Sequence, residues 1–432
     1  MGIVIKQSFS NTINAYLGIA IGAVNTMFLF PYLFKDNPEF VGEINTVLAL
    51  AFIISSFGNI GLPNSLIAFF PKWDKVQRTE FISLTLMVTI LFSVLFTGFT
   101  LVYKINWTYS SMKWLLLVLS LSMLFFEVYA SVAQEQMIVV FPNFLKNVFR
   151  RIIVTVALII CYFFKLSQNS IIIVLSVGYV IHLIWLLWYC RNLLPKRFTW
   201  VFKSIDLKGI FSYSLVLVLI VSTSLIINKL DILMIRSMVG ASEVAFYNIA
   251  FFMGGVVGIP ARALLLSLKP LISKAIAKED FTSVQDIYKR SSENQLFLNG
   301  ALLLIIWANI ECFYWLLPQE YQFGQWVVIW VGCAQLISGA TGVNGLIITL
   351  SEKYKYNLYL GLSILGFVVL SNYLLIPEYG IEGAAIGSLF ATLIYNGVRV
   401  YYVEKEFKMH PFSYMLLINF CMHILLLIFL SL

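Results

Sequence analysis

Charge is what this sequence has least of. Lys, Arg, Asp and Glu together make up 12% of its 432 residues, against about 25% in soluble domains, which excludes a soluble globular protein. Histidine is rarer still, with His182, His410 and His423 scattered along the chain. The five cysteines (Cys161, Cys190, Cys312, Cys333 and Cys421) sit in or beside apolar runs and form no CxxC pair. No metal site, disulfide framework or cofactor is therefore expected. Long hydrophilic loops are also missing. With no soluble domain on either side to hold an active site, the chain is not read as an enzyme. The net charge of +8 comes from cations spread over short connections, not gathered in a patch, so no nucleic-acid partner is expected. The first apolar stretch runs on to about Phe34 without a small-residue cleavage site, so no cleavable signal peptide is expected.

What is present is hydrocarbon. Hydrophobic residues make up 60% of the chain, with 36 Phe and 10 Trp, as suits a lipid-facing surface with interfacial aromatics. The apolar segments are long continuous runs and not alternating strands of about 10 residues, so the fold class is an all-α polytopic membrane bundle and not a barrel. We read thirteen spans, at about 8–33, 41–70, 81–103, 114–137, 146–164, 170–190, 209–236, 244–268, 294–317, 326–350, 356–376, 382–402 and 412–431. With these spans, 22 Lys and Arg fall in connections on the side of the amino terminus and five on the other. The positive-inside bias puts the amino terminus in the cytoplasm of a multi-pass protein.

The connection Arg191–Lys208 separates spans 1–6 from spans 7–12. The expected organisation is two pseudo-symmetric six-helix lobes, 1–200 and 201–405, followed by one additional span in 406–432. Span 2 opens with "VGEIN" (Val41 to Asn45) and span 8 with "VAFYN" (Val244 to Asn248). Each then runs through glycine-containing apolar sequence to a proline and lysine, near Pro71 and Pro270. An even number of spans per half makes this a parallel repeat, and transporters place substrate sites between such halves.

Polar side chains recur at helical spacing inside several spans. Asn11, Asn14, Gly18 and Asn25 share a face of span 1, and Ser120, Glu127, Ser131 and Gln134 a face of span 4. Ser224, Asn228 and Asp231 do so on span 7, and Gln335, Ser338, Thr341 and Asn344 on span 10. A polar stripe cannot face lipid, so each faces either a neighbouring helix or water. Four such stripes favour an aqueous cavity. The stretch "LIINKLDILMIRSM" adds Lys229, Asp231 and Arg236 to apolar surroundings, where charge costs several kcal/mol unless paired, snorkelled or wet. Arg236 can snorkel to the external interface. Glu127 has no cation at i±3 or i±4, and Arg262 lies in the inner half of span 8. The expected cavity residues are Asn11, Asn14, Asn25, Glu127, Ser131, Asn228, Lys229, Asp231, Arg262, Gln335 and Asn344. Arg150, Arg151, Lys269, Lys274 and Arg399, at cytoplasmic span ends, are expected to attract phosphate.

Several stretches together carry a resemblance. They are "NTINAYLGIAIGAVNTMFLFPYLF", "FGNIGLPNSLIAFFPKW", "KLDILMIRSMVGASEVAFYNIAF", "NGLIITLSEKYKYN" and, most specifically, "LIPEYGIEGAAIGS". Over nearly its whole length the chain resembles the polysaccharide transporters and O-antigen flippases of the multidrug/oligosaccharidyl-lipid/polysaccharide (MOP) exporter superfamily. The resemblance implies two six-helix lobes around a V-shaped cavity in a bacterial inner membrane. It also implies a polyprenyl-diphosphate-linked oligosaccharide as substrate, such as an O-antigen (lipopolysaccharide), capsule or exopolysaccharide repeat unit. That substrate would be flipped from the cytoplasmic to the periplasmic leaflet by alternating access. Membrane lipids, glycan polymerase and export machinery, and a coupling ion (Na+ or H+), are the partners implied. Asp231 matches an acidic residue common near the outer end of span 7 in such proteins. Twelve or fourteen spans are usual there, against the thirteen read here. Peptidoglycan-precursor flippases resemble the chain less: they carry several arginines in spans 1, 2 and 8, whereas here only Arg262 falls within those spans. An ion-coupled multidrug or cation antiporter of the same superfamily is the alternative, which Glu127 and Asp231 keep open.

Overall fold

In hydrocarbon a backbone must satisfy its own hydrogen bonds, and a chain this apolar has the helix as its route. The computed structural model describes residues 2–70, 73–103, 107–195, 198–353 and 355–431, and among them there is helix and no strand. Helix underlies each of the thirteen sequence-read spans, and the helical segments are numbered accordingly. The first is α1 (Gly2–Ala23), prolonged through a π-helical turn at Val24–Leu29 and the short helix Phe30–Leu33. Next come α2 (Pro38–Gly58 and then Leu62–Phe69), α3 (Lys75–Val102) and α4 (Met112–Glu135). Then follow α5 (Val140–Phe144, a π turn Leu145–Phe149, Arg150–Phe164), α6 (Gln168–Cys190) and α7 (Leu207–Met238). α8 is Ala241–Val256 with Ile259–Ala277, α9 is Phe281–Ala308 with Ile310–Trp315, and α10 is Gln325–Ala340 with Asn344–Leu350. The continuous helix Lys355–Phe407 breaks at Gly380 into α11 (355–379) and α12 (381–407), and α13 is Tyr414–Ser431.

By length and composition, seven helices among the described residues can cross a membrane, and eight if the α10 pair, bent by 54°, is one span. Part of the difference from thirteen has physical sources. The 53 residues of Lys355–Phe407 count once, although about 80 Å of helix at 1.5 Å per residue far exceeds a hydrocarbon core of about 30 Å. That helix folds back on itself. Gly380 takes φ +56° and ψ −134°, and Tyr356 stacks on Tyr402 across the hairpin. Arg399 Nε donates to Asn357 Oδ1 at 3.1 Å. α8 is interrupted between Val256 and Ile259, and α9 carries Glu293, Asn294, Gln295 and Asn299 well into its length.

The chain forms two compact units, Met1–Lys229 and Leu230–Leu432, which meet in sequence inside α7. The first part of α7 belongs to the first unit through packing. Ile210, with Ile205 just ahead of the helix, is buried with Leu62, Leu66 and Phe81, and Ser214 Oγ lies 2.6 Å from Ser65 Oγ. α13 joins the second unit at α9. A Cβ on Gly300 would lie 2.2 Å from His423, and Gln285 and the backbone of His410 exchange hydrogen bonds of 2.9 and 3.1 Å.

In each unit a broken helix restarts from a glycine N-cap with a proline in its first turn: Gly61-Leu62-Pro63 begins the second part of α2, and Gly258-Ile259-Pro260 the second part of α8. Proline suits the first helical turn because its missing N–H has no partner to lose there.

Candidate functional site

Unit one holds an ion pair within its helices. Lys146 Nζ lies 2.6 Å from Glu127 Oε1, with both side chains about one-third exposed. Glu127, which has no cation at i±3 or i±4 on its own helix, thus finds one on the next. Helix α5 begins at Val140, ahead of the expected span, so Lys146 sits inside it and reaches across to α4. The two residues are 19 apart in sequence, a separation that no local pattern reveals. Two cavities share the pair. One, of about 130 Å³, is bounded by Asn59, Gly61, Asn64, Met123 and Arg150. The other, of about 150 Å³, is bounded by Asn64, Ser131, Gln134 and Asn143. Ser131 Oγ donates to the Glu127 carbonyl at 2.7 Å, and Arg150 Nε to the Lys146 carbonyl at 2.8 Å.

The polar face of α1 is occupied differently from the expectation of water. Asn143 Nδ2 donates to Asn11 Oδ1 at 3.2 Å, and Asn14 Nδ2 to the Val140 carbonyl at 3.4 Å. Asn25 Nδ2 donates to the Arg151 carbonyl at 3.0 Å and its Oδ1 accepts from Thr155 at 2.8 Å. Every one of these partners belongs to α5. Gly18 and Gly22, a small-xxx-small pair, are the reason: a Cβ on Gly18 would sit 2.3 Å from the Asn147 carbonyl oxygen, and one on Gly22 2.8 Å from Arg151 Nη1. Close approach of two helices turns the asparagine stripe into interhelical glue. Arg151 is held in this contact.

Unit two seals one carboxylate and gathers three cations. Asp231, 2% exposed, accepts from Tyr247 Oη at 2.5 Å, Asn372 Nδ2 at 2.8 Å and Ser388 Oγ at 2.8 Å. It thereby ties the end of α7 to α8 and to both arms of the α11–α12 hairpin. Here too the expected wet position is a buried contact, because Gly383 and Gly387 let the hairpin arms close. A Cβ on Gly383 would lie 2.2 Å from the Leu375 carbonyl oxygen, and one on Gly387 2.9 Å from Asn372 Oδ1. Lys229 is half-buried, and the Asn228 side chain lies outside the described residues.

The largest described cavity, about 530 Å³, is in this unit. Arg262, Lys269 and Arg399 line it together with Gln335, Asn344 and Asn396, and its described lining contains no carboxylate. Four expected residues, two from spans and two from the cytoplasmic ends, thus meet Asn344 in one place. Arg262 curls back over the α8 break, donating from Nε to Gly258 O at 3.2 Å and from Nη2 to Gly255 O at 2.8 Å. Arg399 lies over the Tyr395 ring, 3.8 Å from its centroid, with its guanidinium against Gly345. Asn344 Nδ2 donates to Asn396 Oδ1 at 3.4 Å. Lys274 is exposed near the end of Ile259–Ala277 and does not join the group. A guanidinium fork presents paired donors suited to phosphate oxygens. Asn64 and Asn396 escaped the sequence reading. The proline breaks, repeated in the two halves, were the available signal for Asn64.

The model of the family described as "Polysaccharide biosynthesis protein" matches residues 37–275. That is more than half the chain, and the chain belongs to this family. Its fold is that of the MOP transporters. It is similar to the lipid II flippase MurJ in an inward closed conformation, with 13% identity, 99% of this chain and 98% of that one covered, and a TM-score of 0.72. It is also similar to a multidrug resistance MATE family transporter of the MOP superfamily in an inward-facing conformation (12% identity, 92% and 94% covered, TM-score 0.67) and an outward-facing one (10%, 93% and 96%, 0.59). Comparison with curated proteins gives no match. The protein is a multi-pass membrane protein of this family, with a fold shared by these transporters.

Proposed function

We propose that this protein is a transporter, a flippase for a polyprenyl-diphosphate-linked oligosaccharide that moves an O-antigen, capsule or exopolysaccharide repeat unit from the cytoplasmic to the periplasmic leaflet by alternating access. The observation that carries the reading is the cavity lined by Arg262, Lys269 and Arg399 with no carboxylate in its described lining. A diphosphate loses its hydration on leaving water, and cations in a partly enclosed site replace it. The Polysaccharide biosynthesis family supports a glycan cargo, and the flippase named among the similar structures supports a lipid-linked one. The reading entails an inner-membrane location with a cytoplasmic amino terminus, and a glycan polymerase and export machinery acting downstream. An Na+ or H+ gradient is the energy source we assign.

The antiporter reading needs a carboxylate open to a cationic drug. Asp231 is closed by three hydrogen-bond donors, and Glu127 is already neutralised by Lys146, which favours the flippase. The test is complementation of a glycan-export deletion strain. Wild type restores surface glycan, and Arg262→Ala with Arg399→Ala accumulates the lipid-linked intermediate at normal protein level. Full export by that double variant would remove the site, and drug resistance without export would favour the antiporter.

A further inference from the structure

The two units carry the same structural device with different chemistry around it. Gly61, Pro63 and Asn64 follow the α2 break and line a cavity, as Gly258, Ala261 and Arg262 do after the α8 break. Opposite the breaks stand α4, with Met123 and Glu127, and α10, with Gln335 and Ser338. In the second unit the lining is cationic. In the first, the cavity at the break holds Arg150 beside the Glu127–Lys146 pair, whereas the adjoining cavity of about 150 Å³ has one ammonium, Lys146, and one carboxylate, Glu127, joined to each other. Its charge sums to zero.

What that cavity offers is unused hydrogen-bonding capacity. The carboxamides of Asn64 and Gln134 line it and are exposed, with no hydrogen-bond partner among the described residues. Glu127 accepts Lys146 through Oε1, and no donor among the described residues reaches its Oε2. A phosphate would meet a carboxylate there and no unpaired cation. An apolar group would leave the amides unsatisfied. A sugar hydroxyl both donates and accepts. It can give its proton to Glu127 Oε2 and take one from an amide N–H, and adjacent hydroxyls suit the planar amide and carboxylate groups.

We infer that the first-unit cavity formed by Asn64, Glu127, Gln134 and Lys146 is a carbohydrate-binding site, which recognises hydroxyl and acetamido groups of the cargo's sugars and selects among repeat units. This rests on the flippase reading. The site acts on sugar identity, whereas the cavity of Arg262, Lys269 and Arg399 acts on a diphosphate common to every cargo.

The experiment uses flippase-deletion strains that each make one repeat unit of known sugar composition on the same polyprenyl diphosphate carrier. The full-length chain, Asn64→Ala, Gln134→Ala and Arg262→Ala are expressed to equal levels in each, and surface glycan is measured. Arg262→Ala lowers every unit by a common factor. Asn64→Ala and Gln134→Ala leave the Glu127–Lys146 pair intact and shift the ratio between units about three- to tenfold, as the loss of one hydrogen bond to a hydroxyl does. A common factor for all units in the Asn64 and Gln134 variants, or no change in any, overturns the carbohydrate site and leaves the flippase standing. Export of no unit by wild type overturns the flippase reading, and the carbohydrate site with it.

Discussion

The Lys146 ammonium and the Glu127 carboxylate meet at 2.6 Å between two cavities of the first unit. The contact joins α4 to α5 at the level where both cavities open. Because each side chain is about one-third exposed, water screens the attraction, and such pairs contribute about 0.2–1 kcal/mol. Glu127→Gln and Lys146→Met are therefore expected to leave thermal unfolding in detergent nearly unchanged while lowering glycan export. A double-mutant cycle on unfolding measures the coupling, and a value well above 1 kcal/mol would assign the pair to the scaffold.

Asp231 makes the opposite prediction. It is buried, and three side-chain donors from three helices depend on it. Asp231→Ala strands the hydroxyls of Tyr247 and Ser388 and the amide of Asn372, and each unsatisfied buried group costs about 1–3 kcal/mol. Loss of folded protein is expected, measured as the monodisperse fraction on size-exclusion chromatography. Asp231→Asn, which keeps one acceptor oxygen, loses less.

The hairpin of α11 and α12 depends on backbone contact. A Cβ on Gly383 would meet the Leu375 carbonyl oxygen at 2.2 Å, and backbone cannot yield as a flexible side chain can. Gly383→Val is expected to force the arms apart and destabilise the protein by about 1–3 kcal/mol, as overpacked cores are. Gly397→Ala, on the same helix, has open space around it and serves as the neutral comparison. Thermal unfolding of the two variants distinguishes them.

Asp280 caps α9 outside the membrane. Its Oδ2 accepts from Ser283 Oγ at 2.6 Å, and its Oδ1 accepts from the Ser283 amide at 3.0 Å and from Thr282 Oγ1 at 2.7 Å. These bonds favour the carboxylate, and its pKa falls from 3.8 to about 2, with the Ser283 hydroxyl the largest cause. A depressed folded-state pKa means the cap's contribution is complete above pH 3.8 and fades as pH falls toward 2. Amide exchange at Ser283 is expected to accelerate across that window, and Asp280→Ala to remove the pH dependence.

The fold class and most helices were legible because membrane burial demands long apolar runs, which sequence displays directly. The α11–α12 hairpin was legible too, since Gly380 and the small residues after it mark a turn and a close approach. Polar stripes were the hard part. Spacing shows that Asn11, Asn14 and Asn25 share a face, and the same spacing serves a wet passage or a tight helix pair. Gly18 and Gly22 decide for the tight pair by admitting α5, a consequence of geometry between distant segments. Lys146 was hidden by a helix start six residues earlier than the apolar run suggested. The convergence of Arg262, Lys269 and Arg399 was unreadable for a similar reason: Arg399 arrives only because the long helix turns back at Gly380.

The measurement that bears most directly on the cationic cavity is translocation in proteoliposomes holding the purified full chain. The cargo is a polyprenyl-diphosphate-linked oligosaccharide, scored by its accessibility at the far leaflet. Wild type is expected to move it, inorganic pyrophosphate to slow it, and the Arg262→Ala, Arg399→Ala double variant to lose it while remaining folded. Proteoliposomes that expel a cationic dye but leave the lipid-linked glycan where it was loaded would contradict the account.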